Sequence, residues 1–359
     1  MTSPHGIFSA QGAVQHLFRG RAWTVGARIG ALLLLIVPEV SAQNLRIGII
    51  DFYGLRRVSE TSARSVLAIK EGDALVMGGA RPAVLAESER RLSLLPGVVS
   101  ARLNLICCDD GAVIVYVGIE ETGAFVPRFR EAPQGAVRLT PAIVETGQEL
   151  SRAAMAAVQR GDAAEDDSNG HSLMHDPAAH ALQERFIEYA RDMTALRDVL
   201  HNSSLAEHRA LAAEILGYAA TKADVIDDLV YGMNDPSDLV RNNAMRALGV
   251  IAGASHGPTP RIPAEPFIAL LNSPHWTDRN KAAFALMDLS RQRDPGLLDM
   301  LRKQAIEPLA EIARWKSKGH AMLGLLILGR LGGLSDEETE AAFNRGEREA
   351  VIKAALRAR

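Results

Sequence analysis

Apolar residues recur along this chain at two different periods, and the change from one to the other divides it. Through residues 45–120 the period is close to two. Residues 45–53 (LRIGIIDFY) alternate well enough for a strand that Gly54 ends. Farther on, Ala101, Leu103, Leu105 and Cys107 share one face while Arg102 and Asn104 take the other. Asp109-Asp110-Gly111 then turns the chain, and Val113, Val115, Val117 and Ile119 line a return strand. Between these strands Ser59, with Ser62 three residues on, caps a short helix predicted to reach about Leu67. Lys70-Glu71-Gly72-Asp73 makes a turn, and residues 80–95 read as a second helix with Leu85, Leu92 and Leu95 on one side, stopped by Pro96-Gly97. The predicted order is β-α-α-β-β, an α+β domain over 43–121.

From about residue 178 the period becomes 3.6. Three stretches repeat in step: NSSLAEHRALAAEILG from 202, NDPSDLVRNNAMRALG from 234 and NSPHWTDRNKAAFALM from 272. Their offsets, 32 and then 38 residues, are those of helical solenoids. Val240, Ala244, Ala247, Leu248 and Ile251 fall on one helix face, as do Ala282, Ala285, Leu286 and Leu289. Asp235-Pro236 and Ser273-Pro274 precede these helices, where proline is tolerated and Asp238 or Thr277 can cap. Gly253 to Pro266 lengthens the second interval as a rim loop. Each unit is too small to bury its own apolar face, so residues 178–359 are expected to stack as an all-α solenoid whose usual work is to hold a partner.

Residues 122–177 differ from both halves. Pro127, Pro133, Gly135 and Pro141 punctuate a connector, and residues 143–159 suit one helix. Residues 161–176 (GDAAEDDSNGHSLMHD) are acidic and carry no lysine or arginine, which predicts a flexible tether and two domains free to reorient. At the other end, residues 1–42 read as an export signal. Arg19, Arg21 and Arg28 precede a short apolar run (IGALLLLIV, 29–37), and Val40-Ser41-Ala42 offers a cut before Gln43. That run is shorter than the roughly 20 apolar residues a span requires, so no integral insertion is expected after cleavage, and the mature chain is expected to be periplasmic or secreted.

Composition narrows the function. The 47% apolar and 23% charged fractions are those of folded protein, and a net charge of −3 argues against general nucleic-acid binding. The two cysteines, Cys107 and Cys108, are adjacent and read as core thiols and not as a disulfide framework. His171, His175 and His180 suggest a metal, but Asp176-Pro177 breaks any common helix face. Glu207-His208 resembles the His-Glu iron pairs of some HEAT-repeat oxygenases and lacks counterparts in the other repeats. No G-x-S-x-G elbow, phosphate loop or H-E-x-x-H helix occurs, so neither cofactor nor metal is expected and the chain does not read as an enzyme. A lyase or hydrolase on a HEAT scaffold is the rival reading, as is a cytoplasmic regulator if the leader is not a signal.

Two resemblances add to this. Ile47-x-Ile49 with Gly54 and Val58-Ser59, the Ile69-Lys70-Glu71-Gly72-Asp73 loop, ERRLSLLPGVVSARL (89–103) and the closing strand with Glu120-Glu121 resemble a POTRA domain. In that family an exposed strand edge receives polypeptides by strand addition, which implies a partner-binding edge at Ala101, Leu103 and Leu105. The Asp-Pro, Val-Arg, Ala-x-x-x-Leu-Gly order of 235–249 resembles HEAT or armadillo repeats. Arg209, Arg241 and Arg279 occupy its repeated basic position, and Lys318 extends the series. These arginines either form a stacking ladder or line a groove that grips a partner. The whole reads as an adaptor for an envelope protein or peptide client.

Overall fold

Strand β1 (Gln43–Tyr53) uses both of its faces. Ile50 and Phe52 point into a core closed by the domain's own helices, whereas Asp51 and Tyr53 point toward the helical half. The computed structural model describes residues 43–77, 81–109, 111–256 and 260–358, with the backbone alone at 43, 44, 76, 77, 107 and 108. The leader with its cleavage site and the thiols of Cys107 and Cys108 therefore lie outside the described residues. After β1 come α1 (Glu60–Ser65), β2 (Ala74–Met77), α2 (Ala83–Leu92), β3 (Val98–Asp109) and β4 (Ala112–Glu121). The sheet order is β2-β1-β4-β3, with β1 parallel to β4 and the other pairs antiparallel.

The observed β-α-β-α-β-β order thus contains one strand more than the β-α-α-β-β expectation. The cause is the turn before β2: Ile47 donates to the Asp73 carbonyl, Gly72 donates back to Ile47, and the Asp73 carboxylate takes the Lys70 N–H. This swings the four residues ALVM alongside β1, too short a run for its period to show. α1 ends earlier than expected, and just beyond it the Ala68 N–H goes to Ser88 Oγ instead of a helical carbonyl. α2 is likewise shorter than residues 80–95, with Leu85 and Leu92 buried.

The rest is helical: α3 (Pro141–Gln159), then, after a small hairpin of β5 (Glu165–Asp166) and β6 (Leu173–Met174), α4 (Pro177–Tyr189), α5 (Met193–Asn202), α6 (Ala206–Leu216), α7 (Ile226–Gly232), α8 (Asp238–Gly253), α9 (Glu265–Leu270), α10 (Trp276–Leu289), α11 (Pro295–Gln304), α12 (Ile306–Ala313), α13 (Lys318–Leu331), α14 (Asp336–Asn344) and α15 (Arg348–Arg357). Helices α6, α8, α10 and α13 stack in sequence, backed by α5, α7, α9 and α12. Buried alanines such as Ala210, Ala244, Ala282 and Ala285 let them approach closely. The solenoid is therefore present as a helical-repeat fold following a small mixed sheet. Residues 322–331 sit in buried α13, and no helix among the described residues is long and apolar enough to cross a membrane. The expected caps at Asp238 and Thr277 are not made. The turns instead close one and two residues earlier, where Asp235 Oδ1 accepts from Ser237 N and Ser273 Oγ accepts from His275 N.

The three repeated arginines form a buried ladder. Each reaches back six residues to its own turn: Arg209 to the Ser203 carbonyl, Arg241 to Asp235, Arg279 to Ser273. Each also reaches forward to the acid of the next unit: Arg209 in a two-bond fork with Asp235, Arg241 with Asp278 at 2.9 Å, Arg279 toward Glu311 at 3.6 Å. Planar guanidinium groups suit both contacts at once. Lys318, expected to extend the series, is exposed and outside the ladder.

The segment before α3 runs along the ladder in extended form. The Phe129 ring lies 3.7 Å from the Arg241 guanidinium, and Arg130 adds a second cation to Asp235 while its own guanidinium covers Tyr231 at 4.3 Å. Gly135 bridges to Ser203, where a Cβ would stand 2.3 Å from the Asn202 carbonyl, so only glycine fits. The flexible tether expected at 161–176 is instead the β5–β6 hairpin pinned to the solenoid. Arg246 holds Glu165 at 2.6 Å, Tyr218 donates to the Ser172 carbonyl at 2.9 Å, and Met174 is buried. Its acidity is matched by Arg246 of the solenoid, and it is held to the helical half instead of hanging free.

Asp235 carries two cations, so Asp235→Ala should lower unfolding free energy by about 3–5 kcal/mol, because buried guanidinium groups are left unpaired. Lys318→Ala should change it by less than about 0.5 kcal/mol. Urea titrations by circular dichroism, compared at unchanged m-value, check both.

Candidate functional site

Tyr53 and Tyr116 carry the contact between sheet and solenoid. Tyr116, on β4, stacks on Trp276 at 5.0 Å, tilts against Trp315 at 4.8 Å, and shares a hydrogen with His320 Nδ1 at 2.8 Å. The Tyr53 hydroxyl donates to the Pro274 carbonyl at 2.9 Å and accepts from Asn104, under the Arg279 guanidinium. Glycine at 118 makes this possible, since a Cβ there would meet the Tyr53 ring at 2.4 Å. Around the rings, Gly54 N donates to Glu311 at 2.6 Å and Lys316 N to the Asp51 carboxylate at 2.7 Å. Sheet, connector and hairpin together cover the turn ends and inner helices of the solenoid.

Several ionisable groups are sealed beneath this cover. His320 is held at a pKa of about 4 by burial and by the nearby Lys281 charge. Lys281 is 4% exposed, pairs with no carboxylate among the described residues, and is lowered to about 8 by burial and by Arg246. Asp51 is raised by burial against the opposing Lys316 N–H. Under the hairpin a small cavity of ≈ 20 Å³ is lined by His171, Ser172, Glu214, Tyr218 and Arg246. Burial lowers His171 to about 4 and raises Glu214. Ser172 Oγ bonds Glu165 and Asp167, and the His171 ring bonds Lys222, so no hydroxyl faces a histidine base there.

Two of the three histidines of the metal hypothesis are put to other work: His180 Nδ1 meets the Met174 carbonyl at 3.0 Å and His171 meets Lys222. His208 accepts the Leu139 N–H at 2.9 Å, fastening the connector. Among the described residues no cluster of three or more His, Cys, Asp or Glu could hold a metal ion.

The side of the sheet away from the solenoid contact is different. β3 is the outer strand, bonded to β4 alone within the sheet. Ala101, Leu103 and Leu105 contribute to the core beneath α1 and α2, with Leu103 buried. Leu103 also has its outward main-chain groups taken: its N–H by Glu89 Oε1 at 2.7 Å, its carbonyl by Arg81 at 2.9 Å. At the start of β3 the surface is apolar, Leu94 being 72% and Val99 55% exposed. Next to Leu94 in the chain, Leu95 and Pro96 line a cleft of ≈ 360 Å³ with Arg57, Ser59, Ser62 and Thr122. Its floor is rigid, because the Glu121 carboxylate gathers the N–H groups of Arg56, Arg57 and Val58, which hold it below the usual carboxylate range despite its burial.

Of the six residues singled out in the sequence, the strand trio lies together on β3 and the arginine trio together in the buried ladder. The ladder presents no guanidinium to solvent, with Arg241 fully enclosed. Leu94, Val99 and the Arg81–Glu89 pair were not anticipated. Leu94 could have been found, since Leu94-Leu95-Pro96 places two adjacent leucines at a helix end where only one can face inward.

No family model matches this chain, and no curated protein matches it. Among solved structures it is similar to an engineered protein (14% identity, TM-score 0.35, covering 61% of this chain and 96% of that one). It is also similar to designed armadillo repeat proteins, one made for modular peptide recognition (15% identity, TM-score 0.37, 60% and 99%) and one solved with the peptide (KR)4 (14%, 0.35, 60% and 98%).

Lys281 costs stability at neutral pH. A base whose pKa falls on folding gives stability only above its unfolded value, so that contribution is absent below about pH 8 and returns as pH rises toward 10.5. Lys281→Met should raise stability at pH 7 by about 1–3 kcal/mol and flatten the gain between pH 8 and 10. For His320 the same sign gives full stability above pH 6.5, lost as pH falls through about 4. His320→Asn should remove that part of the acid sensitivity. Thermal melts across pH 4 to 10 read both.

Proposed function

We propose that this chain is an exported, non-enzymatic adaptor of the cell envelope, in which a POTRA-like sheet domain mounted on a HEAT-like solenoid receives an extended polypeptide at the β3 edge. The observation that carries this reading is the exposed apolar surface at Leu94 and Val99. It lies at the start of an outer strand and beside a cleft with a rigid floor. An added strand takes its affinity from main-chain groups and its specificity from alternate side-chain pockets. Among the described residues no hydrogen bond is made to the outward side of Ala101. The repeat half acts as the mount: its inner surface is occupied by the chain's own sheet, connector and hairpin, so the partner is met on the sheet. The leader pattern of 1–42 supports export, and the acid–base pairs described above are spent in structure, which supports a binding role.

A photo-crosslinking residue at Val99 in living cells should trap one reproducible envelope partner, and the same residue at the exposed, distant Lys318 should not. Leu94→Asp with Val99→Asp should cut that adduct at least about tenfold while the thermal midpoint stays unchanged. Fractionation should find the chain outside the cytoplasm, beginning at Gln43. A cytoplasmic, full-length chain with no specific adduct would refute the proposal.

A further inference from the structure

The middle of the β3 edge already has a neighbour, made of side chains. Arg81 and Glu89 are joined by two bonds, Nη1 to Oε2 at 3.0 Å and Nη2 to Oε1 at 2.6 Å. This fork lies against one residue of the strand. Glu89 accepts the Leu103 N–H and Arg81 donates to the Leu103 carbonyl. In an antiparallel ladder, a residue whose N–H and C=O both face the next strand is met there by one acceptor and one donor. The carboxylate and the guanidinium supply those two groups, tied together as a peptide unit would tie them. Leu103 faces Val117 of β4 on its other side, so these outward groups are the ones a fifth strand would use.

The two side chains come from opposite ends of α2. Arg81 stands just before the helix and Glu89 lies within its last turn, so the helix spans the fork and holds it over the strand. Arg81 is 43% and Glu89 22% exposed, which leaves the pair open to water and to displacement. A twelve-residue outer strand with Leu103 at its centre is the kind of edge that folded proteins protect with charge.

We infer that the Arg81–Glu89 pair stands in for a strand and gates the β3 edge. An extended polypeptide can dock at Val99 and Ala101 unhindered, but pairs onward past Leu103 only by displacing the fork. This rests on the strand-addition reading and adds its regulation. Because the fork is partly exposed, salt weakens it. Strand addition at this edge therefore strengthens with ionic strength, opposite to a contact made between charged surfaces.

The test uses the full chain with a second copy of itself as the incoming segment. In Glu89→Ala and in Arg81→Met, exchange of the Leu103 amide, read by hydrogen–deuterium exchange, should quicken about tenfold or more, as expected for losing a charged hydrogen bond. Self-association by sedimentation should tighten at least about tenfold relative to the parent chain. Adding Ala101→Pro should abolish that gain, because proline removes an outward N–H and is tolerated on an edge. Should either variant melt early, the parent chain decides: Leu103 exchange should rise with ionic strength while that of the centrally placed Val115 stays constant. Unchanged exchange at Leu103, or self-association that survives Ala101→Pro, would overturn the gate. Loss of the Val99 adduct with the gate behaviour intact would sink the adaptor reading alone.

Discussion

The structure depends on one constraint: the arginines at the turn ends of the inner helices are buried, and each needs its own turn's carbonyl behind it and a carboxylate ahead, the second need met by hydrogen bonds at Arg209 and Arg241 and by charge alone at Arg279, 3.6 Å from Glu311. A buried guanidinium without an acceptor is far costlier than any single packing contact here, so the acids that meet it dictate the spacing of the units. Asp235, Asp278 and Glu311 are not equivalent positions in the repeats, yet each is placed where the preceding arginine ends. The connector completes the arrangement. Phe129 seals Arg241 and Arg130 joins Asp235, so a segment with no regular structure is fastened to the ladder.

The same constraint settles what the solenoid offers. Repeat scaffolds present an inner surface, but here that surface is spent on the chain's own parts: the hairpin over Arg246, the connector over the ladder, the sheet over Trp276, Trp315 and His320. Lys281 and Asp51 remain ionisable under that cover at a cost to stability. The sheet in turn leaves β3 as an outer strand, and the proposed partner surface rests on that arrangement.

Much of the fold was legible. The β1 alternation, the β3–β4 hairpin and the stepped repeats are local patterns, and each produced the element it announced. Three features were not. β2 is four residues long, below the length at which a period shows. The hairpin at 161–176 looked disordered because its acidity had no visible counterpart; Arg246, which holds Glu165, lies 81 residues away. The interruption of the arginine series at Lys318 could not be read, because register in sequence does not say which side chains a neighbouring unit will enclose. For the candidate site, the β3 trio was placed correctly on one strand, but the occupied state of Leu103 depends on α2 crossing back over it.

The sequence by itself determined the classes of local structure and the existence of repeats, because hydrophobic period, turn residues and capping act over a few positions. Only the tertiary structure decided which charges are interior, that sheet and solenoid form one packed body through Tyr53 and Tyr116, and which stretch of strand edge is open. Those outcomes depend on partners tens to hundreds of residues distant, as in the bond from Tyr53 to Pro274, and burial turns such long-range pairing into an energetic requirement that no local pattern encodes.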